Sequence, residues 1–73
     1  MGSLELREVL FEFRRFGQRS VRVSAIDPLT RTEVHMVGDI TYGEEALKRL
    51  AARKLDYVLK KKLDEAEAAR KKR

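Results

Sequence analysis

The spacing of the apolar side chains changes once along the chain, and this change is the strongest constraint on the fold. From about residue 7 to residue 37 they recur at every second position, as in half-buried strands. From residue 41 onward they recur at helical steps, as on one face of an amphipathic helix. The sequence therefore predicts one α+β domain, a three-stranded antiparallel β-meander (β-β-β-α) packed on one C-terminal helix.

Segments with period-2 alternation predict strands at about residues 7–15, 19–26 and 32–37. One set of alternate side chains forms an apolar inner face, which consists of Val9, Phe11, Phe13, Val21, Val23, Ala25, Val34 and Met36. The other set mixes charged, polar and apolar residues, namely Leu10, Glu12, Arg14, Arg22, Ser24, Ile26, Glu33, His35 and Val37. We expect the helix to cover the inner face and to leave this outer face open.

The second connection fixes the register of its two strands, because a slip of one residue would turn a strand over. It starts with Asp27-Pro28, a typical turn sequence. A four-residue loop places Ala25 opposite Val34, so that all apolar partners share one face. This register leaves Arg31 where such loops favour a left-handed backbone, and we expect mild strain there.

The first connection contains Gly17 and admits loops of different length. A two-residue loop would place Phe13 opposite Arg22, which conflicts with the apolar pattern. A three-residue loop over residues 16–18 places Phe13 opposite Val21 and sets Glu12 across from Arg22, a favourable pair of charges. We therefore expect the three-residue loop.

The helix is predicted to begin at Thr41, which forms a capping-box pattern with Glu44. Its buried stripe is predicted to contain Leu47, Leu50, Ala51, Lys54, Leu55, Tyr57 and Val58, with Leu59 at the border. Lys54 is expected to pack its stem and extend its ammonium outward. The pattern fails after Leu59, which predicts a domain over residues 1–59 and a basic helical extension or frayed tail over residues 60–73.

The net charge of +5 arises in the second part of the chain, because the charges of residues 1–43 cancel. A segment of this kind is a candidate for binding an anionic partner through Lys60, Lys61, Lys62, Arg70, Lys71, Lys72 and Arg73. Basic residues at a helix end also interact favourably with the helix dipole, and a solvated helix end is the simpler explanation for them. The segment has too little apolar surface to insert into a membrane.

Several functional classes lack the residues they require. The chain has no cysteine, which excludes a disulfide framework, a thiolate zinc site and a cysteine nucleophile. His35 is the one histidine; Ser24 lies beside it in the predicted register, and no carboxylate is expected to orient its ring. We therefore expect no enzyme, no metal and no cofactor. No membrane span or signal peptide is indicated, and we expect a cytoplasmic protein.

The segments Val21-Arg22-Val23-Ser24-Ala25-Ile26-Asp27-Pro28 and Leu50-Ala51-x-Arg53-Lys54-Leu55-x-Tyr57-Val58-Leu59 resemble a small uncharacterised alphaproteobacterial family. That family is known as a domain of unknown function, and the resemblance spans about residues 8–60. It implies a bacterial cytoplasmic protein and provides no functional residues. The topology alone is similar to that of double-stranded RNA-binding domains, but Glu44 and Glu45 stand where that family has a basic motif.

Unprotected edge strands and exposed apolar side chains on the outer face predict self-association. We expect a non-enzymatic interaction module, a homodimer that binds a protein partner. The candidate partner surface consists of Leu10, Arg14, Arg22, Ile26, His35 and Val37. The alternative is a basic accessory protein that binds RNA or DNA through its C-terminal tail.

Overall fold

The computed structural model describes residues 8–71 as a sheet followed by a long helix. The elements in chain order are β1 (Leu10–Phe16), β2 (Ser20–Asp27), β3 (Thr32–Asp39), a short 3₁₀ turn (Ile40–Tyr42) and α1 (Glu44–Lys71). The strands are antiparallel neighbours in the order β1-β2-β3. This architecture confirms the predicted meander and C-terminal helix.

The core lies between α1 and the inner face of the sheet. Val23, Ala25, Ala51 and Leu55 are completely buried there. The helix packs on β2 and β3. By contrast, Phe11 and Phe13 on the inner face of β1, and Val9 just before the strand, are only partly buried. The first strand is therefore the least covered part of the sheet.

The predicted register between β2 and β3 is confirmed, with Ala25 opposite Val34 and Asp27 opposite Thr32. Arg31 has the left-handed backbone expected for this loop, with φ of 62°. Its N–H donates to the Asp27 carbonyl at 2.7 Å, which closes the turn. A second bond in the loop offsets the strain at Arg31: the Thr30 hydroxyl donates to the Asp27 carboxylate at 2.7 Å.

The predicted register between β1 and β2 is wrong by two residues. Phe13 lies opposite Val23, and Glu12 lies opposite Ser24 rather than Arg22. The loop still spans three residues, but these are residues 17–19, because Phe16 remains in the strand. Gly17 adopts φ of 65°, a conformation that glycine reaches without steric cost, so the turn begins there. A shift of two leaves every side chain on its predicted face.

The prediction that the helix begins at Thr41 is also wrong. The Asp39 carboxylate accepts hydrogen bonds from the Thr41 N–H at 2.9 Å and from its hydroxyl at 2.8 Å. These bonds start the 3₁₀ turn, so Thr41 lies inside that turn and not at the N-cap of α1. Gly43, with φ of 88°, then redirects the chain, and α1 begins at Glu44.

The Thr41 N–H, and then its hydroxyl, hold the pKa of Asp39 below its ordinary value, and the Arg19 guanidinium adds to the effect. Arg19 lies 3.6 Å from the Asp39 carboxylate. The loop before β2 and the turn after β3 are thereby linked.

The buried stripe of α1 is narrower than predicted. Leu47, Ala51 and Leu55 are buried, whereas Leu50 and Tyr57 are exposed by 39% and 67%. Lys54, which was also predicted to lie in the stripe, is exposed as well. The helix continues to Lys71, and its residues 60–71 are exposed. Within residues 8–71, no helix has both the length and the apolar character that a membrane crossing requires.

Candidate protein interface

The predicted partner surface lies together on the outer face of the sheet. Leu10 pairs with Ile26 across β1 and β2, and Arg14, Arg22 and Val37 form one row across all three strands. Leu10 and Val37 are exposed by 45% and 60%, and Ile26 is half-buried. Phe16, the next residue of β1 on this face after Arg14, is also exposed, by 48%. The alternation of the sequence predicts this exposure.

Arg14 and Arg22 form a like-charge pair, because they lie directly opposite each other on β1 and β2. Such a pair is unfavourable on a sheet surface. Within residues 8–71, neither guanidinium forms an ion pair with a carboxylate. Glu12 lies in the next row of β1, opposite Ser24. The outer face of β1 therefore carries an acidic residue, Glu12, next to a basic residue, Arg14.

His35 has a defined environment on this face. Its Nδ1 lies 2.8 Å from the Ser24 hydroxyl, and its Nε2 lies 3.7 Å from the Glu33 carboxylate. The expectation that no carboxylate stands near the ring is thus wrong, because Glu33 shares the outer face two residues earlier. These contacts orient the ring in a pocket of about 200 Å³, whose lining residues are Glu12, Arg14, Arg22, Ser24, Glu33 and His35.

The hydrogen bonds at the start of β2 establish which backbone groups of β1 are unpaired. The Ile40 N–H donates to the Arg19 carbonyl at 2.8 Å, so these opposed residues form a hydrogen-bonded pair. Hydrogen-bonded pairs alternate along an antiparallel ladder. It follows that Val21 and Val23 bond to β3, whereas Arg22 and Ser24 bond to β1.

The same alternation applies to β1. Its even-numbered residues, Glu12 and Arg14 among them, bond to β2. The N–H and C=O groups of Phe11, Phe13 and Arg15 therefore point to the open side of the sheet. Within residues 8–71, no hydrogen bond is made to these groups from another element.

The other edge of the sheet, on β3, is partly covered by a side chain of α1. The Lys54 ammonium of α1 donates to the His35 carbonyl of β3 at 2.6 Å. The sequence predicted that the Lys54 ammonium extends outward. Its acceptor is a carbonyl at the outer edge of β3 that does not bond to β2. A lysine beside an edge strand disfavours the addition of another strand.

The basic residues predicted to bind an anionic partner are distributed along the exposed end of α1. Lys60, Lys61, Lys62, Arg70 and Lys71 are exposed, and Lys72 and Arg73 lie outside the described residues. Asp64, Glu65 and Glu67 are interspersed among them. The Lys62 ammonium also lies 3.4 Å from the Thr32 hydroxyl. The structure thus shows an exposed helix of mixed charge.

Comparison with known proteins gives one match. A family model described as a domain of unknown function (DUF6898) matches residues 6–62. No curated protein and no solved structure matches the chain significantly. The matched span includes all three strands and the packed part of α1.

Proposed function

We propose that this chain, which belongs to the DUF6898 family of unknown function, is a small non-enzymatic protein-interaction module that works as a homodimer and binds a protein partner. The observation that carries the proposal is the open edge of β1. Unpaired N–H and C=O groups along a sheet edge are a template for adding another strand. We place the module in the bacterial cytoplasm, as the sequence resemblance implies.

The burial of side chains on β1 supports the same conclusion. Phe11 and Phe13 are only partly buried because α1 packs on the other two strands. Covering them would stabilise a small domain, which buries a smaller fraction of its surface than a large one. The family match includes the whole of β1 and ends at Lys62, so the proposed surface belongs to the part that the family shares.

Sedimentation equilibrium on the full chain tests the proposal. We expect a species of twice the 8.5 kDa monomer mass at micromolar concentration. A mass of 8.5 kDa throughout a concentration series that extends to about 100 times that range would contradict the homodimer. If the chain is dimeric, affinity capture with the full chain is the next step to identify its protein partner.

A second candidate function is the binding of RNA or DNA by the exposed end of α1. The observation that favours it is the exposure of Lys60, Lys61, Arg70 and Lys71 on a helix that extends beyond the packed core. Phosphate contacts of this kind weaken steeply as salt is added. A salt titration of the full chain and of a variant with these four residues changed to glutamine tests the candidate. Equal binding by both proteins would contradict it.

A further inference from the structure

We infer that β1 of one copy of the chain pairs with β1 of a second copy, in antiparallel orientation and centred on Phe13. This joins the two three-stranded sheets into one continuous sheet. The inference rests on the proposed homodimer and specifies its surface and register.

The backbone of β1 has the right groups for this pairing. Phe11, Phe13 and Arg15 turn their N–H and C=O groups to the open side, as the ladder alternation requires. When the two strands are centred on Phe13, this residue pairs with its own counterpart, and Phe11 pairs with Arg15 of the second copy. Every outward-directed group of these three residues then has a hydrogen-bond partner.

The side chains of β1 select this register among the possible ones. With Phe13 at the centre, Glu12 lies opposite Arg14 of the second copy, and Leu10 lies opposite Phe16. Opposite charges and apolar pairs across strands both stabilise a sheet. Centring the strands on Glu12 or on Arg14 would instead oppose two like charges. The sequence Leu10–Phe16 is thus self-complementary about Phe13 alone among these registers.

The pairing also resolves two unfavourable features of the single chain. Arg14, which faces Arg22, gains the Glu12 carboxylate of the second copy on its other side. Leu10 and Phe16, exposed by 45% and 48%, gain an apolar neighbour. The two-fold axis keeps both helices on the same side of the sheet, and each helix packs over β2 and β3, away from the joined edges.

Disulfide cross-linking tests the register, since the chain contains no native cysteine. Single variants Glu12→Cys and Arg14→Cys are oxidised separately and as a mixture, and the products are separated by non-reducing electrophoresis. Opposed residues of a non-hydrogen-bonded pair lie about 4.5 Å apart at Cα, within the range that a disulfide spans. We expect the mixture to cross-link at least about fivefold more than either variant alone, because residue 12 lies opposite residue 14 of the second copy and not opposite its own counterpart.

A matched control uses Glu33→Cys, on the same face but on β3, mixed with Arg14→Cys; we expect no cross-link. Efficient cross-linking of Glu12→Cys with itself would overturn the register. If the protein sediments as a dimer and neither the mixture of Glu12→Cys and Arg14→Cys nor Glu12→Cys alone cross-links, the β1 pairing is overturned. The homodimer itself is not contradicted by that result. A monomer in sedimentation would overturn the homodimer as well, which distinguishes the two failures.

Discussion

The two edges of the sheet both expose backbone N–H and C=O groups, but they differ in whether another element bonds to these groups. On β3, Lys54 reaches across from α1 and donates to the His35 carbonyl at 2.6 Å, and the helix packs along the strand. On β1, the outward groups of Phe11, Phe13 and Arg15 receive no such bond within residues 8–71. Edge strands are a liability that proteins usually block. This difference between the two edges supports our proposal that β1 pairs with a partner strand.

The largest effect is expected from Arg15→Pro. Proline removes the outward N–H of Arg15, which β2 does not use, and it places a ring on the edge. We expect the chain to stay folded and its dimer affinity to fall by at least about a hundredfold, since backbone pairing carries the interface. Sedimentation and circular dichroism measure the two properties.

Arg14→Pro is the matched control for that variant. The Arg14 N–H belongs to the ladder with β2, so proline there should unfold the strand. Equal folding and equal dimerisation of both proline variants would contradict the alternation derived for β1.

Removing the block on the other edge is expected to have the next largest effect. Lys54→Ala frees the His35 carbonyl and opens β3, so we expect species larger than a dimer in light scattering. The free energy of unfolding should fall by about 1 kcal/mol, the usual worth of one hydrogen bond. A variant that remains dimeric at high concentration would show that Lys54 does not protect this edge.

A charge reversal on β1 should have a moderate effect. Glu12→Arg places like charges opposite each other twice in the symmetric dimer, and we expect its dissociation constant to rise about tenfold. The double variant Glu12→Arg/Arg14→Glu restores opposite charges and should recover most of the affinity. Glu33→Arg, on the β3 edge, serves as the control and should leave the dissociation constant unchanged.

The smallest effect concerns acid stability at the end of β3. The pKa of Asp39 is lowered in the folded chain by the Thr41 N–H, so its contribution is complete above the ordinary aspartate pKa. That contribution is lost as the pH falls through the lowered pKa. Thermal melts from neutral pH into acid should therefore show a smaller loss of stability for Asp39→Asn than for the native chain. Parallel curves would contradict the role of Asp39.

Much of the fold follows from the sequence, because the switch from period 2 to helical spacing assigns each side chain to a face. The register between β2 and β3 followed from Asp27-Pro28, whose turn chemistry is restrictive. The register of β1 did not follow, since Gly17 fits more than one position of a three-residue loop. The helix start was missed because Asp39 caps a 3₁₀ turn that contains Thr41, and Gly43 separates this turn from α1.

The candidate surface was only partly predictable for a related reason. The outer-face residues follow from alternation, but the contact between Glu33 and His35 depends on side-chain conformation. The difference between the two edges depends on Lys54 meeting the His35 carbonyl, nineteen residues earlier in the chain. A sequence pattern gives no information on where a helix crosses a sheet.

Amide hydrogen exchange on β1, measured by NMR at several protein concentrations, tests the central claim most directly. Glu12 and Arg14 should be protected at every concentration because their N–H groups bond to β2. Phe11, Phe13 and Arg15 should exchange rapidly in the dilute monomer and become protected as the dimer forms. Rapid exchange of these three amides at concentrations where the chain is fully dimeric would contradict pairing through β1.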